Sequence, residues 1–257
     1  LKNNLFLDLK IMIYYDGLHN NEPINVTTDE IINTINKTKI TNDIFTRRIG
    51  SKSENAEVFK CILNGIPLAV KIPRNDKFNR TESFYSIELT KYPDYFVKTY
   101  SIIQNNEIDY MFMELVTGDL RQELISGIGI TILKSYINNV FESVSKLSSL
   151  NIIHGDLHIG NIFIRNNRAI LADFDTIEPF QYVETPISDL VKFFKTLSAF
   201  LKTTNQYKDF TNKIDLFVVY LYKISNSIEE YEGEIDFGAL ELIDLIKDEW
   251  NRFINAV

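Results

Sequence analysis

One cysteine and three histidines are all that the chain's 257 residues offer in thiol and imidazole ligands. The lone Cys61 excludes an internal disulfide and a cysteine-based zinc site. It also fits a reducing compartment. Long apolar runs are missing too: none approaches the roughly 18–20 residues that a membrane-spanning helix needs. Leu5–Tyr15 is apolar, but Asp8 and Lys10 interrupt it and no small-residue cleavage site follows, so it does not read as a signal peptide. Positive charge is also short. Twenty-seven Lys and Arg stand against 35 Asp and Glu, a net charge of −8, so no nucleic-acid footprint is expected. The chain shows neither an internal repeat nor a low-complexity linker.

What is present is globular. The chain is 45% hydrophobic and 24% charged, and long enough for one or two domains with a sizeable core. Thr27-Thr28-Asp29-Glu30 fits a capping box, and Ile31, Ile32 and Ile35 predict a short helix behind it. From about Ile44 to Val116 the pattern is one of short strands. Phe45–Ile49, Val58–Leu63, Pro67–Ile72, Val97–Ile103 and Tyr110–Leu115 are the strands, with Asn64-Gly65 as a hairpin turn and a helix near 79–92. After Gly118 the chain turns helical. Apolar residues from Ile132 to Leu147 recur at helical spacing, two short strands bracket Asn166-Asn167, and helices follow near 186–202, 207–225 and 236–255.

The chemistry is concentrated in His154-Gly155-Asp156-Leu157-His158-Ile159-Gly160-Asn161, followed by Asp173-Phe174-Asp175. An Asp, an Asn five residues on and an Asp twelve further form the set that phosphoryl transfer from ATP requires. One carboxylate accepts the acceptor's hydroxyl proton, and an amide with a second carboxylate holds Mg²⁺ against the phosphates. His154 and His158 are four apart, but no third soft ligand joins them, so zinc is not expected.

The stretch resembles the catalytic loop and metal-binding triplet of the protein-kinase-like superfamily. The resemblance implies an α+β, bilobal fold with a small β-rich N-lobe and a larger helical C-lobe. It divides the chain into an N-terminal extension (1–40), an N-lobe (41–116) and a helical C-lobe (117–257). It also implies roles. Asp156 would be the catalytic base, and Asn161 and Asp173 the Mg²⁺ ligands. Lys71, closing Leu68-Ala69-Val70-Lys71, would hold the α- and β-phosphates of ATP. Its partner carboxylate would be Glu82 or Glu88, with the count back from Tyr92-Pro93-Asp94 favouring Glu82. Tyr110–Val116 resembles the hinge. Met113 would stand beside the adenine, and backbone groups of Glu114 and Val116 would bond its edge. Asp119 would bond the ribose or cap the following helix. Ile49, Gly50, Ser51 and Ser53 would form the nucleotide lid, with Val58 and Ala69 lining the base.

The departures are informative. The lid segment keeps one glycine, Gly50, with Ser53 and Ala56 where others are expected; glycine lets backbone approach phosphate unobstructed. Gly155 replaces the Arg that reads a phosphorylated activation loop, so such control is not expected. His158 stands where a Lys near the transferred phosphate is usual; a protonated imidazole there would make activity fall as pH rises. Asp189, in Ser188-Asp189-Leu190, resembles the Asp that anchors the loop from below, yet it follows Asp173 by only sixteen residues. The His-Gly-Asp-x-His loop is similar to those of RIO-type and aminoglycoside/choline-kinase-type enzymes, and Asp-Phe-Asp to some poxvirus-type and other large-virus kinases. Together these imply an ATP- and Mg²⁺-dependent kinase, first an atypical serine/threonine protein kinase with a protein substrate. The alternatives are a kinase for a small-molecule hydroxyl and a pseudokinase or binding module. A cytoplasmic place is expected, or the host cytoplasm or virion if the source is viral.

Overall fold

In the computed structural model the residues described are 11–13, 24–49, 55–116, 118–179, 185–229 and 238–255. The chain divides into two compact units. One comprises Leu1–Phe78 and Lys98–Leu115, the other Asn79–Val97 and Val116–Val257. The second crossing falls between Leu115 and Val116, and the helix near 79–92 clusters with the helical unit.

In the first unit, β1 (Ile11–Ile13) and β2 (Ile24–Val26) pair antiparallel, a ladder the sequence pattern does not announce. Then comes α1 (Thr28–Lys37). Its start is fixed by reciprocal bonds. The Glu30 N–H donates to the Thr27 hydroxyl at 3.2 Å, and the Thr27 N–H donates to the Glu30 carboxylate at 2.8 Å. Five strands follow: β3 (Phe45–Ile49), β4 (Ala56–Leu63), β5 (Ile66–Pro73), β6 (Thr99–Asn105) and β7 (Ile108–Glu114). They form an antiparallel sheet in the order β3-β4-β5-β7-β6. Asn64 and Gly65 turn β4 into β5 with φ of 49° and 82°, the left-handed pair a two-residue hairpin with matching twist requires.

Residues directly opposite in a ladder share a face, and that sorts the sheet. Cys61 opposes Leu68 and Val70 opposes Phe112; these bury against Ile31 and Ile35 of α1. So α1, within the stretch read as an extension, supplies part of this unit's core. The other face carries Ile49 opposite Val58, Val58 opposite Lys71, and Ala69 opposite Met113.

The helical unit begins with α2 (Arg80–Glu88), capped by Asn79, whose side chain accepts the Glu82 N–H at 2.6 Å. It continues through β8 (Gly118–Asp119), α3 (Leu120–Ser126), α4 (Ile130–Ser149), β9 (Ile152–Ile153), β10 (Ile162–Arg165), β11 (Arg168–Leu171), β12 (Glu178–Pro179), α5 (Thr185–Leu201), α6 (Lys208–Glu229) and α7 (Ala239–Asn255). Leu133, Ile137, Val140, Phe141, Val144 and Leu147 make α4 the spine of the unit's core. Each such side chain contributes roughly 1.5–3 kcal/mol by leaving water. Trp250 of α7 is fully buried, with the Phe194 and Phe217 rings 4.9 and 5.0 Å from its own. That aromatic cluster fixes α5, which supports the loop described next. β10 pairs with β11 and β8, and β12 with β9. No helix among the described residues is long and apolar enough to cross a membrane.

Candidate active site

The His154–Asn161 loop lies between β9 and β10 and rests on α5. Asp189, Lys192 and Thr196 occur at i, i+3 and i+7 of α5, one face of a helix. Asp189 accepts two backbone N–H bonds, from His154 at 2.8 Å and from Gly155 at 3.0 Å. Lys192 ion-pairs with Oδ1 of Asp156. The Thr196 hydroxyl accepts the Ile159 N–H at 3.4 Å. One helix face thus holds the loop at three successive points. Burial pushes the Asp189 carboxyl above the ordinary aspartate range, with the His154 ring, the two N–H bonds and Lys192 pulling the other way.

The loop is also tied to the strand that follows it. His154 is fully buried; its Nε2 lies 2.9 Å from the Ala172 carbonyl, and its ring packs 5.5 Å from that of Phe174. The Thr176 hydroxyl donates to the His154 carbonyl at 2.9 Å. Gly155 has φ +77°, and a Cβ there would lie 2.4 Å from the Thr176 carbonyl oxygen. The backbone therefore demands glycine at this position, whatever role an arginine has elsewhere.

Asp156 remains 31% exposed in its side chain. It can reach an acceptor from solvent. His158 Nε2 stands 3.5 Å from Asp156 Oδ2, while its Nδ1 accepts the Gly160 N–H at 3.0 Å. A ring whose Nδ1 accepts is the neutral imidazole. Burial lowers the His158 pKa below the usual histidine value, and that outweighs the attraction of Asp156. The charged imidazole expected at residue 158 is therefore disfavoured at neutral pH.

The Asn161 amide donates to the Asp156 carbonyl at 3.0 Å, which orients its oxygen away as an acceptor. The Ala172 N–H donates to the Asn161 carbonyl at 3.0 Å, which ties the segment before Asp173 to the loop that carries Asn161. Asp173 has φ +64°, a left-handed conformation rare for a non-glycine residue. The donor set these two offer is all oxygen. Among the described residues no group of three or more His, Cys, Asp or Glu could cage a metal. Two hard ligands without a protein cage suit Mg²⁺, which keeps waters and takes phosphate oxygens for the rest of its shell. The Asn79 amide donates to the Asp175 carbonyl at 3.2 Å, joining the start of α2 to the triplet.

In the sheet unit, Ile49, Val58, Ala69, Lys71 and Met113 fall on one face, as the register above requires. Lys71 is only 6% exposed, and its ammonium lies 5.9 Å from the Phe78 ring centroid. The Glu114 carboxylate accepts the Lys98 N–H at 2.7 Å, and its own N–H donates to the Lys98 carbonyl at 3.0 Å. Gly50, Ser51 and Ser53 lie outside the described residues. In the helical unit, Val116 leads towards β8, and Asp119 accepts the Gln122 N–H at 2.8 Å, which is the capping role. Glu82 is 5% exposed. Glu88 is part-exposed and paired with Lys91, so of the two candidates only Glu82 is a buried carboxylate. Lys192 is the residue the sequence reading missed; its spacing of three from Asp189 on an apolar helix was the available signal.

Comparison with curated protein sequences gives no significant match. The family profile of the protein kinase domain matches residues 45–215, more than half of the chain. The match takes in the five-stranded sheet, the loop and the α5 helix that holds it. With Asp156, Asn161 and Asp173 all falling inside that match, the chain belongs to the protein kinase family, and is a phosphotransferase.

Proposed function

We propose that this chain is an atypical serine/threonine protein kinase that moves the γ-phosphoryl of Mg-ATP to a protein hydroxyl. The observation that carries the reading is Asp156: a partly exposed carboxylate on a loop pinned by Asp189, with the Asn161 amide on its carbonyl and the segment that leads to Asp173 bonded to Asn161. Asp156 takes the hydroxyl proton. Asn161 and Asp173 would hold Mg²⁺, whose charge neutralises the phosphates. Lys71 is assigned to the α- and β-phosphates, with Glu82 as its carboxylate. Met113, Glu114 and Val116 are assigned to the adenine, Ile49, Val58 and Ala69 to its surroundings. Gly50, Ser51 and Ser53 keep the lid role proposed from the sequence, and Asp119, which caps α3 through Oδ1, is assigned to the ribose as well. His158 stands beside Asp156 as a neutral imidazole, Nε2 at 3.5 Å from Oδ2. The domain limits of 41–116 and 117–257 and a cytoplasmic place complete the reading.

One observation favours a second acceptor class. α5 begins at Thr185, twelve residues after Asp173. That leaves little chain for a peptide-docking platform, and a small-molecule hydroxyl of the aminoglycoside, choline or sugar type needs none. The test is transfer from γ-labelled Mg-ATP to casein and to a panel of such small molecules, beside Asp156→Ala. Label on casein that Asp156→Ala abolishes while still binding ATP is expected. Label on a small molecule alone moves the assignment to the second class. Full transfer by Asp156→Ala removes that residue from its role, and absence of both binding and transfer leaves a pseudokinase.

A further inference from the structure

Asp156 has a neighbour that its own loop does not supply. Lys192 reaches from α5 to place its ammonium on Oδ1 of Asp156. Its position is not accidental to packing. Phe193, Phe194 and Leu197 around it are fully buried, so the helix that aims it is fixed. The lysine side chain itself is 46% exposed. An ion pair this open to water contributes about 0–1 kcal/mol to stability, so folding gives a weak reason for it.

Chemistry gives a stronger one. To hand its proton to Asp156, an acceptor hydroxyl must come within about 2.6–3.2 Å of that carboxylate. The same oxygen lies roughly 3–3.5 Å from phosphorus before it attacks. A cation seated on Asp156 is therefore within a few ångströms of the phosphoryl oxygens, where charge is spread in the transition state. His158, the loop's own basic side chain, does not supply that cation, because its Nδ1 is occupied as an acceptor from Gly160.

We propose that Lys192 is a catalytic residue whose ammonium bridges Asp156 and the transferring phosphoryl group. The inference rests on the reading of this site as one for transfer from ATP. In the step, a bond forms between the acceptor oxygen and the γ-phosphorus. The bond from that phosphorus to the β,γ-bridging oxygen breaks, and ADP leaves with its electron pair. The hydroxyl proton passes to Asp156. Lys192 exchanges no proton; it neutralises charge that grows on the phosphoryl oxygens, and keeps the Asp156 carboxylate aimed.

The experiment compares wild type, Lys192→Met, Lys192→Arg, Asp156→Ala and the double variant Lys192→Met with His158→Lys. Transfer from γ-labelled Mg-ATP to casein and to the small-molecule panel is measured. Binding of ATP and of ADP, without acceptor, is read separately by displacement of a fluorescent nucleotide. Lys192→Met is expected to lower kcat about 10²–10³-fold, the usual loss for one transition-state donor, with the acceptor KM and melting temperature unchanged. It is also expected to erase the preference for ATP over ADP, since the γ-phosphate loses a partner. Lys192→Arg keeps part of the rate, and His158→Lys restores at least about tenfold by returning a cation to the same carboxylate. A Lys192→Met enzyme as fast as wild type or faster overturns the inference, the faster one meaning that the lysine quenches the base. An unchanged ratio of ATP to ADP affinity overturns it as well. If wild type transfers, Asp156→Ala does not and Lys192→Met is unaffected, the inference alone fails. If wild type neither binds nucleotide nor transfers, the kinase reading fails and takes the inference with it. Should Lys192→Met not fold, Lys192→Gln in the same assays decides.

Discussion

Gly155 in the helical unit and Gly65 in the sheet unit have nearly the same backbone, with φ of 77° and 82°. Their surroundings are opposite. A Cβ at Gly155 would meet the Thr176 carbonyl at 2.4 Å, whereas at Gly65 nothing lies within 4 Å. Gly65 serves a turn that its own hairpin defines. Gly155 serves a loop whose shape is set by residues far along the chain: Thr176, Asp189 and Thr196. The difference extends to the functional side chains. On the sheet, Lys71, Ala69 and Met113 share a face because the ladder's register places them there. In the loop, Asp156 and Asn161 are placed by individual hydrogen bonds, several of them to side chains of one kind only.

The largest effect should come from removing the support of the loop. Asp189→Ala orphans the buried His154 N–H, at about 1–3 kcal/mol, and frees the part-buried Gly155 N–H as well. Denaturant unfolding should show a loss of at least about 1–3 kcal/mol on that basis, and transfer should fall to the level of Asp156→Ala. Retained stability would mean that the loop is held by its tie to Thr176 instead, and the contrast between the units would weaken.

The glycine pair sharpens the contrast directly. Gly65→Ala should cost about 1–2 kcal/mol, the left-handed penalty alone, and leave transfer untouched. Gly155→Ala carries the same penalty and a backbone clash, so it should cost more and lower kcat too. Equal unfolding free energies for the two variants would show that the loop yields around Thr176.

The smallest effect is expected at Cys61. It is fully buried under α1, and burial pushes its thiol up to about 12. Desolvation disfavours the thiolate, so at pH 8 the reactive fraction is on the order of 10⁻⁴. A colorimetric disulfide reagent should fail to label the native protein and label it fully in guanidinium. Fast native labelling at pH 8 would show that the sheet unit opens more readily than its packing implies.

How legible each part was follows from how it is held. The strands of the sheet, the Asn64-Gly65 turn and the capping box of α1 were readable because each depends on neighbours in sequence. The ladder of β1 with β2 was not, since three-residue strands carry too little alternation to register. The catalytic stretch was legible as a motif because its residue types are chemically constrained. Burial separates Glu82 from Glu88, a difference that the count back from Tyr92-Pro93-Asp94 could only favour. Lys192 was not singled out, because only its spacing of three from Asp189 marked it.

The sequence by itself determined the periodicities, the turns and the set of groups that Mg²⁺ and a hydroxyl proton demand, because those depend on local sterics and on side-chain chemistry. Only the tertiary structure decided which face of α5 meets the loop, that Gly155 stands against Thr176, and that Lys192, thirty-six residues on, sits on Asp156. Contacts between distant segments are set by the packing of the core, and no local pattern encodes them.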